Sequence, residues 1–386
     1  MKPIIIGIDA VNLRNGGGIT HLKEFLTYIE PKEHGINKII VFSGHYTLNQ
    51  LPERAWLIKY HEELMDGNLL MRTFFQLFKL TRLLKKFRCD ILFAPSGTYQ
   101  GKFHPFVGMS QNMLLFEKKE RDRHGFSWAW IRLNLLRMLQ LRSFRRAEGI
   151  IFISKYAKNY ILNQNKSLNG KNTRLIHHGV GKRFRKLPKQ QHPISYYSMS
   201  KPFRLLYISS IDCYKHQWIL IEAVSHLRKM GYPVVLDMIG APLFAKSVNR
   251  LELILTKVDP LKHFANYLGT VSFEQIEQAY HDADGFIYAS TCENMPNIVI
   301  EAMSSGLPIM SSNYGPMPEF LEDSSLYFDP TLVEDTIIGL KEFLDNANYR
   351  AEIAAKSYLY AQKYTWETCT AETLKFLKEI VTKNTN

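Results

Sequence analysis

Cysteine is scarce in this chain: four in 386 residues, Cys89, Cys213, Cys292 and Cys369, far apart and without a C-x-x-C pair. That scatter argues against a disulfide framework and against a metal cluster of regular spacing, and it fits a reducing cytoplasm. Long apolar runs are missing too. No stretch approaches the ~20 consecutive apolar residues that a membrane-spanning helix needs. The opening run Ile4-Ile5-Ile6 is broken by Gly7 and Asp9, too short for a secretory leader, and predicts a first β-strand. Neither G-x-G-x-x-G nor G-x-x-x-x-G-K-[ST] occurs, so the two commonest phosphate-binding signatures are absent.

What is present is an ordinary globular composition, 46% hydrophobic, 12% aromatic and 22% charged, which excludes a disordered or fibrous chain. The length predicts two domains. Charge is unevenly placed: residues 1–200 hold 33 Lys+Arg against 13 Asp+Glu, a balance of +20, and the remainder hold 16 against 23, a balance of −7. The basic half favours a phosphate-rich partner: nucleic acid, an anionic membrane face or an anionic lipid-linked substrate.

β-Branched runs alternate with amphipathic helical stretches, the mark of βαβ units around parallel sheets, so the fold class is α/β. Strands are predicted at 4–8, 38–42, 91–94, 106–109 and 149–153, with helices at 69–87 and 127–146 among them. Between Gly179 and Pro202 the periodicity stops, three prolines intervene and charge is dense, as in an exposed linker. Strands then resume at 204–208, 234–239, 264–268, 285–289 and 308–312. The expected organisation is an N-terminal Rossmann-like domain over 1–190, a second over 200–365, and a C-terminal helix over 366–386. That helix either packs on the second domain or crosses back to the first. Two doubly wound domains in tandem place ligands at the carboxyl ends of their sheets, in a central cleft.

The most informative segment is YASTCENMPNIVIEAMSSGLPIMSSNYGPMPE, residues 288–319. Pro296 suits the first turn of a helix and Gly306 the position past its end, which predicts a helix over 296–305. Its N-terminus offers unpaired N–H groups and a positive dipole end, suited to a phosphate or diphosphate. Glu293 precedes the helix and Glu301 lies within it; carboxylates there can accept hydrogen bonds from paired sugar hydroxyls, or serve the helix end as structural acids. The Gly16-Gly17-Gly18 loop after the first strand reads as a turn or a phosphate contact. Asp9 reads as a cleft-edge acid near an acceptor or as a plain strand-end residue.

The run E-N-M-P-N-I-V-I-E-A-M-S-S-G-L-P-I resembles the E-x7-E region of glycosyltransferase family 4, the retaining sugar-nucleotide transferases of the GT-B fold, also called group 1 glycosyltransferases. Gly16-Gly17-Gly18 resembles the family's N-terminal glycine loop, and Phe152-Ile153-Ser154-Lys155 its V-S-x-x-S/K segment. His177-His178-Gly179-Val180 stands where the family has P-N-G-V, and Ile208 to Lys215 where it has G-R-x-x-x-x-K.

The resemblance implies two facing Rossmann-like domains and a donor bound mainly by the second. Glu301 would bind the nucleotide ribose, Glu293 the donor sugar, and Lys215 the diphosphate. Backbone at Gly17 and Gly18, and at Asn294, Met295, Pro296 and Asn297, would hold phosphate and sugar. Ser209 and Ser210 stand in place of the family's phosphate-binding Arg, and Gln111 and Asn112 in place of its His-Asp pair, where their amides can still bind sugar hydroxyls. Asp9 and Ser154 would face the acceptor, a glycan or lipid-linked oligosaccharide of a bacterial surface polysaccharide. The expected catalytic set is thus Glu293, Lys215, Gln111 and Asn112, with the nucleotide diphosphate sugar as substrate, no cofactor and no metal.

The basic helices at 71–88 and 126–146 carry aromatic and leucine residues on one side and Arg/Lys on the other. They are either core helices with solvated basic faces or amphipathic contacts to an anionic membrane. Two rival functions stay open: another GT-B-like sugar-nucleotide enzyme, such as an epimerase or hydrolase, and a nucleic-acid-binding protein. The second lacks a recognisable module and gives Glu293 and Glu301 no role, so no nucleic-acid partner is expected.

Overall fold

Strands of a parallel sheet covered on both faces read as short, nearly unbroken apolar runs, and the interior strands of this protein are largely buried. The computed structural model describes residues 3–14 and 16–385, which fall into two units. The first takes the chain up to Arg121, Phe126–Gly179 and the chain from Thr365; the second takes Asp122–Gly125 and Val180–Tyr364.

The first unit is built on a seven-stranded parallel sheet of β1 (Ile4–Asp9), β2 (Ile36–Phe42), β3 (Leu57–Tyr60), β4 (Ile91–Ala94), β5 (Phe106–Ser110), β6 (Gly149–Phe152) and β7 (Asn172–Leu175). Their order is β3-β2-β1-β4-β5-β6-β7, so the winding reverses between β1 and β4, where Ile8 pairs with Phe93. The second unit has six strands, β8 (Phe203–Ile208), β9 (Val234–Ile239), β10 (Ala265–Tyr267), β11 (Gly285–Tyr288), β12 (Ile309–Ser312) and β13 (Leu326–Phe328). Their order is β10-β9-β8-β11-β12-β13, with the reversal between β8 and β11. Both sheets are doubly wound α/β sheets.

All ten strands expected from the sequence form, with small shifts at their ends. The three that the pattern does not reveal, β3, β7 and β13, are all sheet edges. An edge strand pairs on one side only and is partly solvated, so its residues need not be uniformly apolar. The residues of β3 and most of those of β7 are only half-buried.

The segment read as an exposed linker is packed. Residues 180–202 belong to the second unit: Lys186 N–H donates to Ser304 O at 3.0 Å, Ser305 Oγ to Phe184 O at 2.9 Å, and Lys189 Nζ to Ala283 O at 3.0 Å. The chain therefore changes units after Gly179, earlier than the 190–200 boundary read from composition. Charge and proline density mark a lack of periodic structure, and short side-chain and backbone bonds can dock such a segment all the same.

Of the two fates open to the C-terminal helix, Trp366–Thr385 takes the first unit. Thr370 Oγ1 donates to Phe25 O at 3.4 Å, Lys378 Nζ to His34 O at 2.9 Å, and Arg174 Nη2 pairs with Glu379 Oε2 at 2.6 Å. The helix expected over 69–87 is three joined pieces, Leu69–Phe74, a π-helical Phe75–Leu80 and Thr81–Lys86. The other, Trp128–Arg146, is capped by Ser127, whose Oγ accepts from Trp130 N. Much of the apolar side of both is left uncovered: Phe126 is 99% exposed, Trp128 77% and Leu70 79%. No helix among the described residues is long and apolar enough to cross a membrane.

Candidate functional site

In a doubly wound sheet the two loops that leave the switch point diverge, and a ligand can enter between them at the carboxyl ends of the strands. In the second unit those loops are Ser209–His216, after β8, and Ala289–Pro296, after β11. The first carries Lys215 and the second Glu293. Lys215 Nζ forms an ion pair with Glu293 Oε1, and also donates to Tyr288 Oη at 3.2 Å. The same Glu293 oxygen accepts from Tyr288 Oη and from Ser290 Oγ, each at 2.7 Å. Three donors thus converge on Oε1, and both partners are largely buried, which makes the pair rigid and charge-assisted. Burial, and then the Glu293 charge, hold the Tyr288 phenol well above its ordinary range, so it stays a proton donor to the carboxylate.

The helix that follows is Asn297–Ser304, one residue shorter at each end than the predicted 296–305, and Pro296 is its N-cap. Gly306 ends it with φ of +65°, and a Cβ there would approach Lys186 O to 2.7 Å, so glycine is needed both for the turn and for the docked segment. Glu301 sits mid-helix, where Tyr280 Oη donates to its Oε2 at 3.0 Å and to Ile298 O at 2.9 Å. Burial pushes the Glu301 carboxyl up to about 7, opposed by the Tyr280 hydrogen bond and the Arg183 charge. Asn294 and Met295 are buried in the preceding loop.

Ser209 and Ser210 lie in the β8 loop, held by Gln217: its Nε2 donates to Ser209 Oγ and to Ser210 O, each at 2.9 Å. His216, next to Lys215, caps the following helix in a left-handed conformation, φ 53°. The chain's one Asp-x-Asp, Asp282-Ala283-Asp284, is at the other end of the sheet, before β11 begins. Asp284 Oδ2 accepts from Arg204 N at 2.9 Å and Oδ1 from Tyr197 Oη at 3.4 Å, so this acid is spent on structure.

The first unit gathers its own predicted residues around its switch point. Gly17 and Gly18 open the helix Gly17–Thr27 after Gly16, φ +64°. A Cβ on Gly18 would lie 3.6 Å from Gln111 Oε1, which brings the glycine loop and the end of β5 together. Gln111 Nε2 donates to Pro95 O at 3.0 Å. Asn112 Oδ1 accepts from Leu114 N at 3.0 Å and caps a short turn. Asp9 is fully buried; its Oδ2 accepts from Gln76 Nε2 at 2.6 Å and its Oδ1 from Val11 N at 3.3 Å. Burial lifts its carboxyl to about 7. Ser154 is buried too, its Oγ capping the helix Lys155–Gln164 by accepting from Ala157 N at 3.1 Å.

Residues 189–360 match the sequence pattern of the family described as "Glycosyl transferases group 1". Over these residues, which lie within the second unit, the chain is similar to the group 1 glycosyl transferases. Among curated relatives, the O-antigen chain mannosyltransferase B of Escherichia coli is 32% identical over 176 residues, 45% of each chain. The lipopolysaccharide 1,2-N-acetylglucosaminetransferase of Salmonella typhimurium is 26% identical over 171 residues, 42% of this chain and 45% of that one. The matches thus span about half the length of these relatives. Among solved structures, Anabaena HepE in complex with UDP-glucose superimposes with a TM-score of 0.68 at 16% identity, over 97% of this chain and all of that one. The fold is GT-B.

Sequence reasoning about this site missed Tyr288 and Ser290, the two hydroxyls that share Glu293 with Lys215, and Tyr280 on Glu301. Tyr288 and Ser290 stand five and three residues before Glu293, in the same motif, so their proximity was available as a signal. Tyr280 had none: it reaches Glu301 from the helix Phe273–Asp282, through tertiary packing.

Proposed function

We propose that this chain is a retaining glycosyltransferase that moves a sugar from a nucleoside diphosphate donor to a hydroxyl of a glycan or lipid-linked acceptor, in the making of a bacterial surface polysaccharide. The observation that carries the reading is the buried Lys215–Glu293 pair at the second sheet's switch point, immediately before the Asn297–Ser304 helix N-terminus. Lys215 and the helix N–H groups face the charge that grows on the departing diphosphate. Glu293 Oε1 is saturated by Lys215, Tyr288 and Ser290, and Oε2 accepts from a donor-sugar hydroxyl. Glu301 accepts from the ribose hydroxyls. The loops at the first unit's switch point, with Asp9, Gly17, Gly18, Gln111 and Asn112, serve the acceptor and the rest of the donor. This chemistry is positioning and charge stabilisation, and it calls for no cofactor and no metal in the transfer step.

The names of the relatives support the class of acceptor, an O-antigen chain and a lipopolysaccharide, and the UDP-glucose complex of HepE supports the class of donor. The uncovered apolar residues Leu70, Phe74, Phe78, Phe126 and Trp128, beside the basic residues of their helices, support docking on the anionic inner face of a cytoplasmic membrane, where a lipid-linked acceptor would be met.

A melting screen against nucleoside diphosphate sugars, followed by turnover assays with and without acceptor glycans, tests the reading. The expected result is stabilisation by one donor class and consumption of that donor only when an acceptor is present. Consumption without acceptor would favour an epimerase or hydrolase, and no stabilisation by any nucleoside diphosphate or its sugars would overturn the proposal.

A further inference from the structure

A second cluster in the second unit bears ligand chemistry that the transfer reaction does not use. His124, Asp212 and Cys213 bring an imidazole nitrogen, a carboxylate oxygen and a thiol sulfur within 4.8 Å of one another. His124 Nε2 lies 3.6 Å from Cys213 Sγ and 3.8 Å from Asp212 Oδ1. The ring of His124 is held edge-on against Phe244, centroids 4.9 Å apart, and Asp212 Oδ1 is fixed by Cys213 N–H at 2.7 Å. His124 and Asp212 are both more than nine-tenths buried. The residues come from 122–125 and from the loop after β8, distant in sequence, so no spacing rule announces them.

We infer that these three side chains form a site for a divalent zinc-type cation. Nitrogen at about 2.0 Å and sulfur at about 2.3 Å from a tetrahedral ion stand about 3.5 Å apart, and nitrogen and oxygen about 3.3 Å. The first separation is already met, and the second needs a shift of about half an ångström. One imidazole, one carboxylate and one thiolate suit zinc and cobalt rather than magnesium or calcium, which take oxygen ligands. Binding releases the thiol proton; the thiolate and the carboxylate then balance the two charges of the ion. A fourth position remains for water or an anion. Cys213 also lines a cavity of about 390 Å³ together with Arg123, His216, Trp218, Lys246 and Arg250, a setting in which an anion fits that position. The ion would fix residues 122–125 against the loop that carries Lys215, three positions after Asp212, without entering the chemistry assigned to Lys215.

The test uses the full chain, stripped with a chelator and titrated with Co²⁺. One equivalent should produce the near-ultraviolet thiolate-to-cobalt absorption band, and Zn²⁺ should abolish it. Cys213→Ser should lose the band, and His124→Gln or Asp212→Asn should each weaken binding at least tenfold. A second group, His45, His61 and Asp66, could also take an ion but contains no sulfur, so cobalt there gives no such band, and His61→Gln leaves the signal intact. Should a variant fail to fold, the parent chain still decides: one equivalent of Zn²⁺ should slow alkylation of Cys213 at least tenfold, read by mass spectrometry. No thiolate band, a band that survives Cys213→Ser, or alkylation of Cys213 indifferent to Zn²⁺ would each overturn the site.

Discussion

Lys215 and Glu293 stand 78 residues apart in the chain and meet as a buried ion pair, because β8 and β11 are neighbours in the sheet. The lysine is fixed from its own backbone as well, since Tyr207 Oη donates to Lys215 O at 2.6 Å. Charge on a leaving diphosphate grows toward the transition state, so a fixed cation contributes more there than to ground-state binding. Lys215→Ala should depress turnover more than donor affinity, with KM changing little beside kcat. Donor binding and turnover both at parental level would remove Lys215 from the reaction.

Glu301 gives a prediction for the ribose. If its carboxylate accepts from the ribose hydroxyls, Glu301→Ala should weaken nucleotide binding by roughly 1.5 to 3 kcal/mol, the scale of a hydrogen bond to a charged group. Calorimetric titration of a folded variant with the preferred nucleoside diphosphate measures it. Unchanged affinity would assign Glu301 to Tyr280 alone.

The same carboxyl makes stability depend on pH. Burial raises Glu301 from 4.5 to about 7, so the folded state holds its proton more tightly than the unfolded state does. The stability this adds is fully present below about 4.5 and is lost as pH rises through about 7. The loss amounts to at most about 3 kcal/mol for a shift of this size. Glu301→Gln, without ligand, should melt like the parent at acid pH and above it at pH 8. A constant difference in melting temperature across that range would contradict the assignment.

Arg350 is fully buried. Its Nη1 donates to Phe343 O at 2.6 Å and Leu344 O at 2.5 Å, its Nη2 to His192 O at 2.5 Å, and its Nε to Gln191 Oε1 at 3.1 Å. It therefore caps the end of the helix Val333–Asp345 and fastens the 180–202 segment. Arg350→Met keeps much of the volume and strands those carbonyls, and should cost about 3 to 5 kcal/mol, on the scale of breaking a buried charged network. Denaturant unfolding checks this, and a loss below about 1 kcal/mol would show the segment to be held by other bonds.

The proposed membrane docking rests on the uncovered residues of the two basic helices. The full chain should sediment with anionic vesicles at low salt and remain in solution with neutral ones. It should be released as ionic strength approaches roughly 1 M, where screening shortens to about 3 Å. Replacing Phe126 and Trp128 by Ser should lower the bound fraction several-fold without lowering the melting temperature, since neither side chain is covered. Equal sedimentation of parent and variant would place the contact elsewhere.

The amino-acid sequence by itself determined the elements whose signals are local. Nearly continuous apolar runs placed the interior strands, because a strand buried on both faces has few positions for a polar residue. Pro296 and Gly306 placed the Asn297–Ser304 helix to within one residue at each end, because helix ends have their own backbone geometry. The spacing of Glu293 and Glu301 around that helix, and the resemblance it carries, pointed to the donor site. The edge strands β3, β7 and β13 needed the tertiary structure, since their pairing comes from a neighbour and not from their own pattern. So did the docking of residues 180–202 and of Trp366–Thr385. Lys215 was named from its motif, but its bond to Glu293 depends on the strand order that sets β8 beside β11, and the gathering of His124, Asp212 and Cys213 depends on tertiary packing. Which loops emerge side by side is settled by how parallel strands are wound, a relation between distant segments that local sequence does not encode.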